Sequence, residues 1–232
     1  MTSGAPASPG PGPGRLAFRP RPGTGEGEPG DAPLGLEAGR DGLLYIPDTA
    51  TAGAPVLVFF HGAGGSGRRE LRVVVAAADR YGVVVVAPDS RGPTWDVIVA
   101  GGFADDPPFI DRALDAAAAR CDADFGRLAA GGVSDGASYA LSIGLTNGDV
   151  FGALIAFSPG FLTPGVLVGR PPVYVSHGIS DPILPIDGTS RRLVPALRNA
   201  GYDVTYREFD GGHTVPPTVA DEGLRWWVGA TA

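Results

Sequence analysis

From Leu43 onward the chain repeats one pattern, a short apolar run followed by a longer Ala-, Arg- and Asp-containing stretch. The runs LLYI (43–46), VLVFF (56–60), VVVVA (83–87), LAAGGV (128–133), ALIAF (153–157), VYVS (173–176) and VTYREF (204–209) read as strands. Most are apolar throughout, and a strand without a polar face belongs to a sheet covered on both sides. Helical patterns fall at 67–80, 107–121, 134–146, 189–200 and 215–228. The second has a start signal, with Asp106 as N-cap and Pro107 at the first helical position. Its apolar face, Phe109, Ile110, Ala113, Leu114, Ala117 and Cys121, makes Cys121 a small core residue. This alternation predicts an α/β fold, a doubly wound and mainly parallel sheet without a large lid domain, with function at the carboxyl ends of the strands.

The 232 residues suit one domain. Residues 1–14, rich in Gly, Pro, Ser and Ala, are expected to be a disordered leader, and 15–232 a single domain. Pro22 to Pro33 repeats the leader's composition, after an apolar patch at Leu16–Phe18.

What the composition lacks removes several chemistries. All 18 basic residues are Arg. With no Lys there is no Schiff-base enzyme and no P-loop lysine; with one Cys there is no disulfide framework or thiolate metal site. The three histidines, His61, His177 and His213, lie far apart, so no metal is expected. The net charge of −7, with no basic run longer than Arg68-Arg69 or Arg191-Arg192, argues against nucleic-acid partners. No apolar stretch nears the roughly 20 residues of a membrane span, and the start lacks a signal-peptide pattern. A cytoplasmic protein is the expectation.

Two motifs compete at strand ends. After VLVFF, Gly62-x-Gly64-x-x-Gly67 matches a dinucleotide-binding fingerprint, with Asp89 as its ribose acid. In a chain with 37 Gly that pattern is cheap, and Asp89 lies 27 residues beyond Gly62, against a usual spacing of about 20. The second motif, Gly132-x-Ser134-x-Gly136, joins LAAGGV to a helix, where a nucleophile elbow needs flanking glycines for a sharp turn. Taken alone it is equally an N-cap serine. Two later segments favour the elbow: VYVS runs into HGISDPILP, carrying Asp181, and VTYREF runs into DGGH, carrying His213. Ser, Asp and His thus follow three different strands, in the chain order of a hydrolase triad.

With VLVFFHGAGG, the GxSDGAS elbow, HGISDPILP and GGHTVPP, residues from about 43 to the C-terminus resemble the α/β-hydrolase superfamily. More narrowly they resemble its phospholipase/carboxylesterase group, with some similarity to polyhydroxyalkanoate-depolymerase-like esterases. The resemblance implies a serine esterase without a cofactor, with Ser134 as nucleophile, His213 as general base and Asp181 as orienting acid. It implies an oxyanion hole made of the backbone amides of Ala63 and Asp135. Members often carry Gln after the nucleophile and a larger apolar residue where Ala63 stands, so acyl preference is open.

The residues support these assignments independently. A serine hydroxyl needs a base with a pKa near neutrality, and His213 alone sits in a Gly-rich turn after the last strand. His61 and His177 end strands, where a histidine packs or bonds locally. Asp187 reads as a cap of the following helix, and Asp210 lies outside the expected loop, leaving Asp181. The side chain of Asp135 either faces the pocket, repelling anions, or serves as a first-turn acid. Gly64, Trp95, Phe103 and Phe161 are candidate substrate-pocket residues. Ser158–Arg170 is too short for a large helical lid, so an open site for small or medium acyl groups is expected. The expected partner is a small-molecule ester, with a homodimer left open. Thioesterase, amidase and polyester depolymerase activities on the same triad stay open, as do a dinucleotide-binding reductase and a non-catalytic binding module.

Overall fold

The computed structural model describes residues 12–230. Most of the expected leader, residues 1–11, lies outside the described residues. Among the described residues eight strands form one sheet: β1 Gly30–Pro33, β2 Gly42–Ile46, β3 Ala54–Phe60, β4 Val84–Pro88, β5 Ala123–Val133, β6 Ala153–Phe157, β7 Val173–Gly178 and β8 Val204–Phe209. Their order is β1-β2-β4-β3-β5-β6-β7-β8. β1 and β2 run antiparallel to their neighbours, and every pairing from β4 to β8 is parallel.

Alternation along the strands divides the core in two. Val56, Val58 and Phe60 of β3 face α3 (Asp106–Ala118), α4 (Asp135–Thr146) and α5 (Ser190–Asn199). Leu57 and Phe59 face α1 (Gly67–Tyr81) and α6 (Pro217–Ala230). A short α2, Asp96–Val99, lies between β4 and α3. Apolar burial on both faces of the central strands accounts for their unbroken Val, Leu and Phe content.

Locally, the core position of Cys121 holds and two helix-cap expectations are corrected. The Pro/Gly-rich segment before β1 is an ordered strap: Gly23 N–H donates to Ala123 O, Thr24 N–H to Ala118 O and Gly27 N–H to Arg120 O. Leu16 and Phe18 are core residues, and the Gly14 carbonyl accepts from Asn147. Backbone pairing there replaces the hydrophobic pattern that sequence reading looks for. Asp106 does not cap α3. It is the helix's first residue, and its carboxylate accepts from the amides of Arg91 (2.6 Å) and Asp96 (2.7 Å). Asp187 does not cap α5 either; it sits in a 3-10 turn and pairs with Arg191. Cys121 is buried, which pushes its thiol up to about 11.

Candidate active site

The sharp turn between β5 and α4 holds Ser134 at φ 57° and ψ −118°, a conformation that L-residues with a Cβ rarely adopt. The flanking glycines make room for it. A Cβ at Gly132 would strike Gly136, and one at Gly136 would strike the Phe60 carbonyl, so β3, β5 and α4 meet at a separation only glycine allows. The Ser134 side chain makes no capping bond to α4, which removes the N-cap reading.

The loops after β7 and β8 complete the constellation. His213 Nε2 lies 2.9 Å from Ser134 Oγ, and His213 Nδ1 lies 2.6 Å from Asp181 Oδ2. The other Asp181 oxygen accepts from the amides of Ile183 and Leu184, both at 2.9 Å. Burial raises the Asp181 carboxyl, but the two amides and His213 outweigh it and hold the group below the usual carboxylate range. His177 lies beside it: Nδ1 meets Ser190 Oγ at 2.7 Å, and Nε2 meets Leu184 O at 2.8 Å and Asp181 Oδ2 at 3.2 Å. Burial lowers the His177 pKa, so its neutral ring donates from Nε2 and helps fix Asp181. Sequence reading left His177 as a locally bonded residue; its position four residues before Asp181 is the signal of this second task.

The amides around Gly62 sort themselves by partner. Gly62 N–H points at Glu70 (3.4 Å), Gly64 N–H donates to Pro93 O (2.8 Å) and Gly65 N–H to Gly62 O (3.0 Å). Among the described residues the Ala63 amide has no acceptor, and neither does the Asp135 amide in the first turn of α4. These are two donors on either side of the serine, at the positive end of a helix. The side chain of Asp135 turns to Thr94, whose Oγ1 donates to Oδ2 at 2.7 Å.

The dinucleotide reading is overturned locally. The Asp89 carboxylate accepts from Gly67 N–H (2.7 Å), bonding the start of α1, and a Cβ at Gly67 would strike the Ala87 carbonyl. The third glycine serves packing and the acid serves a helix terminus, leaving neither for a nucleotide.

Of the candidate pocket residues, Trp95 is sealed in the core. Its Nε1–H donates to His61 O (2.8 Å) and its ring stacks on Tyr139, so it supports the site from beneath and lines no pocket. Phe103 is half-buried, against Gly14 and the edge of Tyr139. Gly64, exposed at φ 64°, shapes the turn beside Ala63. Phe161 lies in the loop after β6, which sequence reading could not place. Three hydroxyls one turn apart on α4 hold this loop: Ser138 Oγ accepts from Gly160 N–H (3.0 Å) and Phe161 N–H (3.4 Å), Ser142 Oγ from Thr163 N–H (2.8 Å) and Thr146 Oγ1 from Gly165 N–H (2.9 Å). Ser138 Oγ also donates to the Ser134 carbonyl at 3.2 Å. Among the described residues no cluster of three or more His, Cys, Asp or Glu side chains is placed to hold a metal, and no helix is long and apolar enough to cross a membrane.

The sheet order, with serine after β5, aspartate after β7 and histidine after β8, defines an α/β-hydrolase fold. Solved structures of that fold superpose on the chain. Esterase PE8 has a TM-score of 0.67 at 24% identity, covering 80% of this chain and 96% of its own. The Bacillus cereus carboxylesterase has 0.65 at 20%, covering 84% and 96%. FphF, a fluorophosphonate-binding serine hydrolase of Staphylococcus aureus, has 0.67 at 13%, covering 88% and 99%. At such identities the likeness establishes the fold. In sequence the chain is similar to acyl-protein thioesterase 1 of Gibberella zeae, at 29% identity over 106 residues, 41% of this chain and 45% of that protein. The match thus spans about half the length of that curated relative. No family model matches.

Proposed function

We propose that this protein is a serine hydrolase that cleaves carboxylic esters of small or medium acyl groups through an acyl-enzyme, with no cofactor. The observation that carries the proposal is the unbroken bond path from the strained Ser134 Oγ through His213 to Asp181. Ser134 Oγ attacks the carbonyl carbon as its proton passes to His213 Nε2, and Asp181 steadies the imidazolium. The negative oxygen of the tetrahedral species takes hydrogen bonds from the amides of Ala63 and Asp135, each typically worth about 3 to 4 kcal/mol. Collapse expels the alcohol, protonated by His213. Water, deprotonated by the same Nε2, then attacks the acyl carbon, and a second collapse returns the proton to Ser134.

The loop from Ser158 to Pro172 contains no helix and follows α4 away from Ser134, so it supplies no helical lid, which supports small or medium acyl groups. A thioesterase reading on the same triad is favoured by the resemblance to acyl-protein thioesterase 1. A fluorophosphonate probe is expected to label the wild type and spare Ser134→Ala; an unlabelled wild type would sink the proposal. Rates on p-nitrophenyl esters from acetate to palmitate are expected to peak at short or medium chains. Comparing acetate esters with acetyl thioesters at equal concentration separates the two readings.

A further inference from the structure

The Ala63 and Asp135 amides belong to different elements, the loop after β3 and the start of α4, and no bond between them sets their separation. A third element touches both. In the loop after β4, three consecutive residues make one contact each: Pro93 O accepts from Gly64 N–H at 2.8 Å, Thr94 Oγ1 donates to Asp135 Oδ2 at 2.7 Å, and Trp95 Nε1–H donates to His61 O at 2.8 Å. The first and third grip the turn on either side of Ala63, and the second grips the residue whose amide is the other donor. Aromatic contacts repeat the pattern. The Trp95 ring stacks on Tyr139 of α4 at 4.6 Å, lies 4.8 Å from the His61 ring and meets Phe60 edge-on at 4.9 Å.

The bracing loop is itself anchored. Asp106 accepts from the amides of Arg91 and Asp96, and Asp96 accepts from those of Ala104 (2.6 Å) and Asp106 (3.1 Å). Both carboxylates are buried. Backbone amides converging on two buried acceptors leave this loop little freedom, so what it touches inherits a fixed position. Thr94 is 8% exposed, and a hydroxyl bonded to a half-buried carboxylate is an oriented, charge-assisted contact. It also gives one Asp135 oxygen a donor, beside a serine where an uncompensated negative neighbour would oppose a developing oxyanion.

We propose that Pro93-Thr94-Trp95 is a brace that sets the separation of the two oxyanion amides, with Thr94 as a positioning residue acting through Asp135. This rests on the hydrolase reading above. Transition-state stabilisation depends on donors held in place before charge develops, so loosening one of them lowers turnover more than substrate binding.

The test is Thr94→Val, which keeps the shape of the side chain and removes the donor, measured beside Thr94→Ser, which keeps the donor. With p-nitrophenyl acetate, Thr94→Val is expected to lose ten- to hundredfold in kcat with KM within about twofold. Its affinity for phenylboronic acid, which forms a tetrahedral adduct on the serine, is expected to fall by a similar factor. Thr94→Ser should recover at least half of the wild-type kcat. The brace is refuted if Thr94→Val keeps more than half of wild-type kcat, or if the Ser variant is as impaired as the Val variant. A wild type with no turnover and no fluorophosphonate labelling refutes the hydrolase reading and the brace with it. A wild type that turns over and is matched by Thr94→Val refutes the brace alone.

Discussion

Asp181→Asn separates the two tasks of one buried carboxylate. Asp181 Oδ1 accepts from Ile183 and Leu184 N–H, and an asparagine oxygen in that position keeps both bonds. The other oxygen, 2.6 Å from His213 Nδ1 and 3.2 Å from His177 Nε2, becomes an NH2 donor. Nδ1 of His213 must then accept, so Nε2 carries the proton and can no longer accept one from Ser134 Oγ. The wrong tautomer of a triad histidine costs about 10^4 in kcat, or about 5.5 kcal/mol. Stability changes far less, because one buried contact is exchanged for a poorer one, at about 1 kcal/mol. For a chain of this size that is a fall in Tm of about 2 to 4 °C. Asp181→Ala removes the acceptor for two amides as well, so its Tm should fall further, by about 5 to 10 °C. The assay is initial rates on p-nitrophenyl acetate at pH 8 beside a calorimetric melt. An Asn variant within tenfold of wild-type kcat would refute the orienting role, and an Asn variant as unstable as the Ala variant would refute the division of labour between the two oxygens.

Two further outcomes follow from buried groups. His177 is held neutral by burial, with its folded pKa below the ordinary value of about 6.5, so the stability it contributes is present above pH 6.5 and lost as pH falls toward the folded value. The stability gap between wild type and His177→Asn in urea melts should therefore narrow from pH 7.5 to pH 5.0; a widening gap contradicts a neutral ring. Ser142→Ala deprives the part-buried Thr163 N–H of its acceptor, a loss of about 0.5 to 1.5 kcal/mol. Hydrogen exchange at Thr163 should accelerate severalfold, and unchanged protection would show that the hydroxyl does not hold the loop.

The seven strands read from the sequence were legible because most are buried on both faces, which demands uniform Val, Leu and Ala, while β8, VTYREF, shows the alternation of a strand with one exposed face. The Ser, Asp and His of the site were legible because parallel strands deliver their C-terminal loops to one edge. What escaped depends on partners distant in sequence. β1 reads Gly-Asp-Ala-Pro, with no apolar alternation, and exists because β2 offers it an edge. Asp106 has the local signature of a cap, yet its carboxylate bonds amides 10 and 15 residues upstream, which no local pattern encodes. Trp95 stands at the catalytic edge in sequence, but its indole N–H needs a buried acceptor, and His61 O draws it inward. The Ala63 amide could be singled out only once the partners of its neighbours were known.

The three hydroxyls of α4 hold the loop after β6 by its backbone, and that settles which letters of the loop are free. Ser138, Ser142 and Thr146 bond amides, which every residue but proline has, so the anchoring places little demand on side chains at 161, 163, 166 and 167. Val166 and Leu167 are already exposed, at 72% and 51%. These two positions lie beside the C-terminal end of α4, about three helical turns from Ser134, so natural variation or a mutagenesis library can rewrite them while the elbow at the other end of the helix keeps its shape.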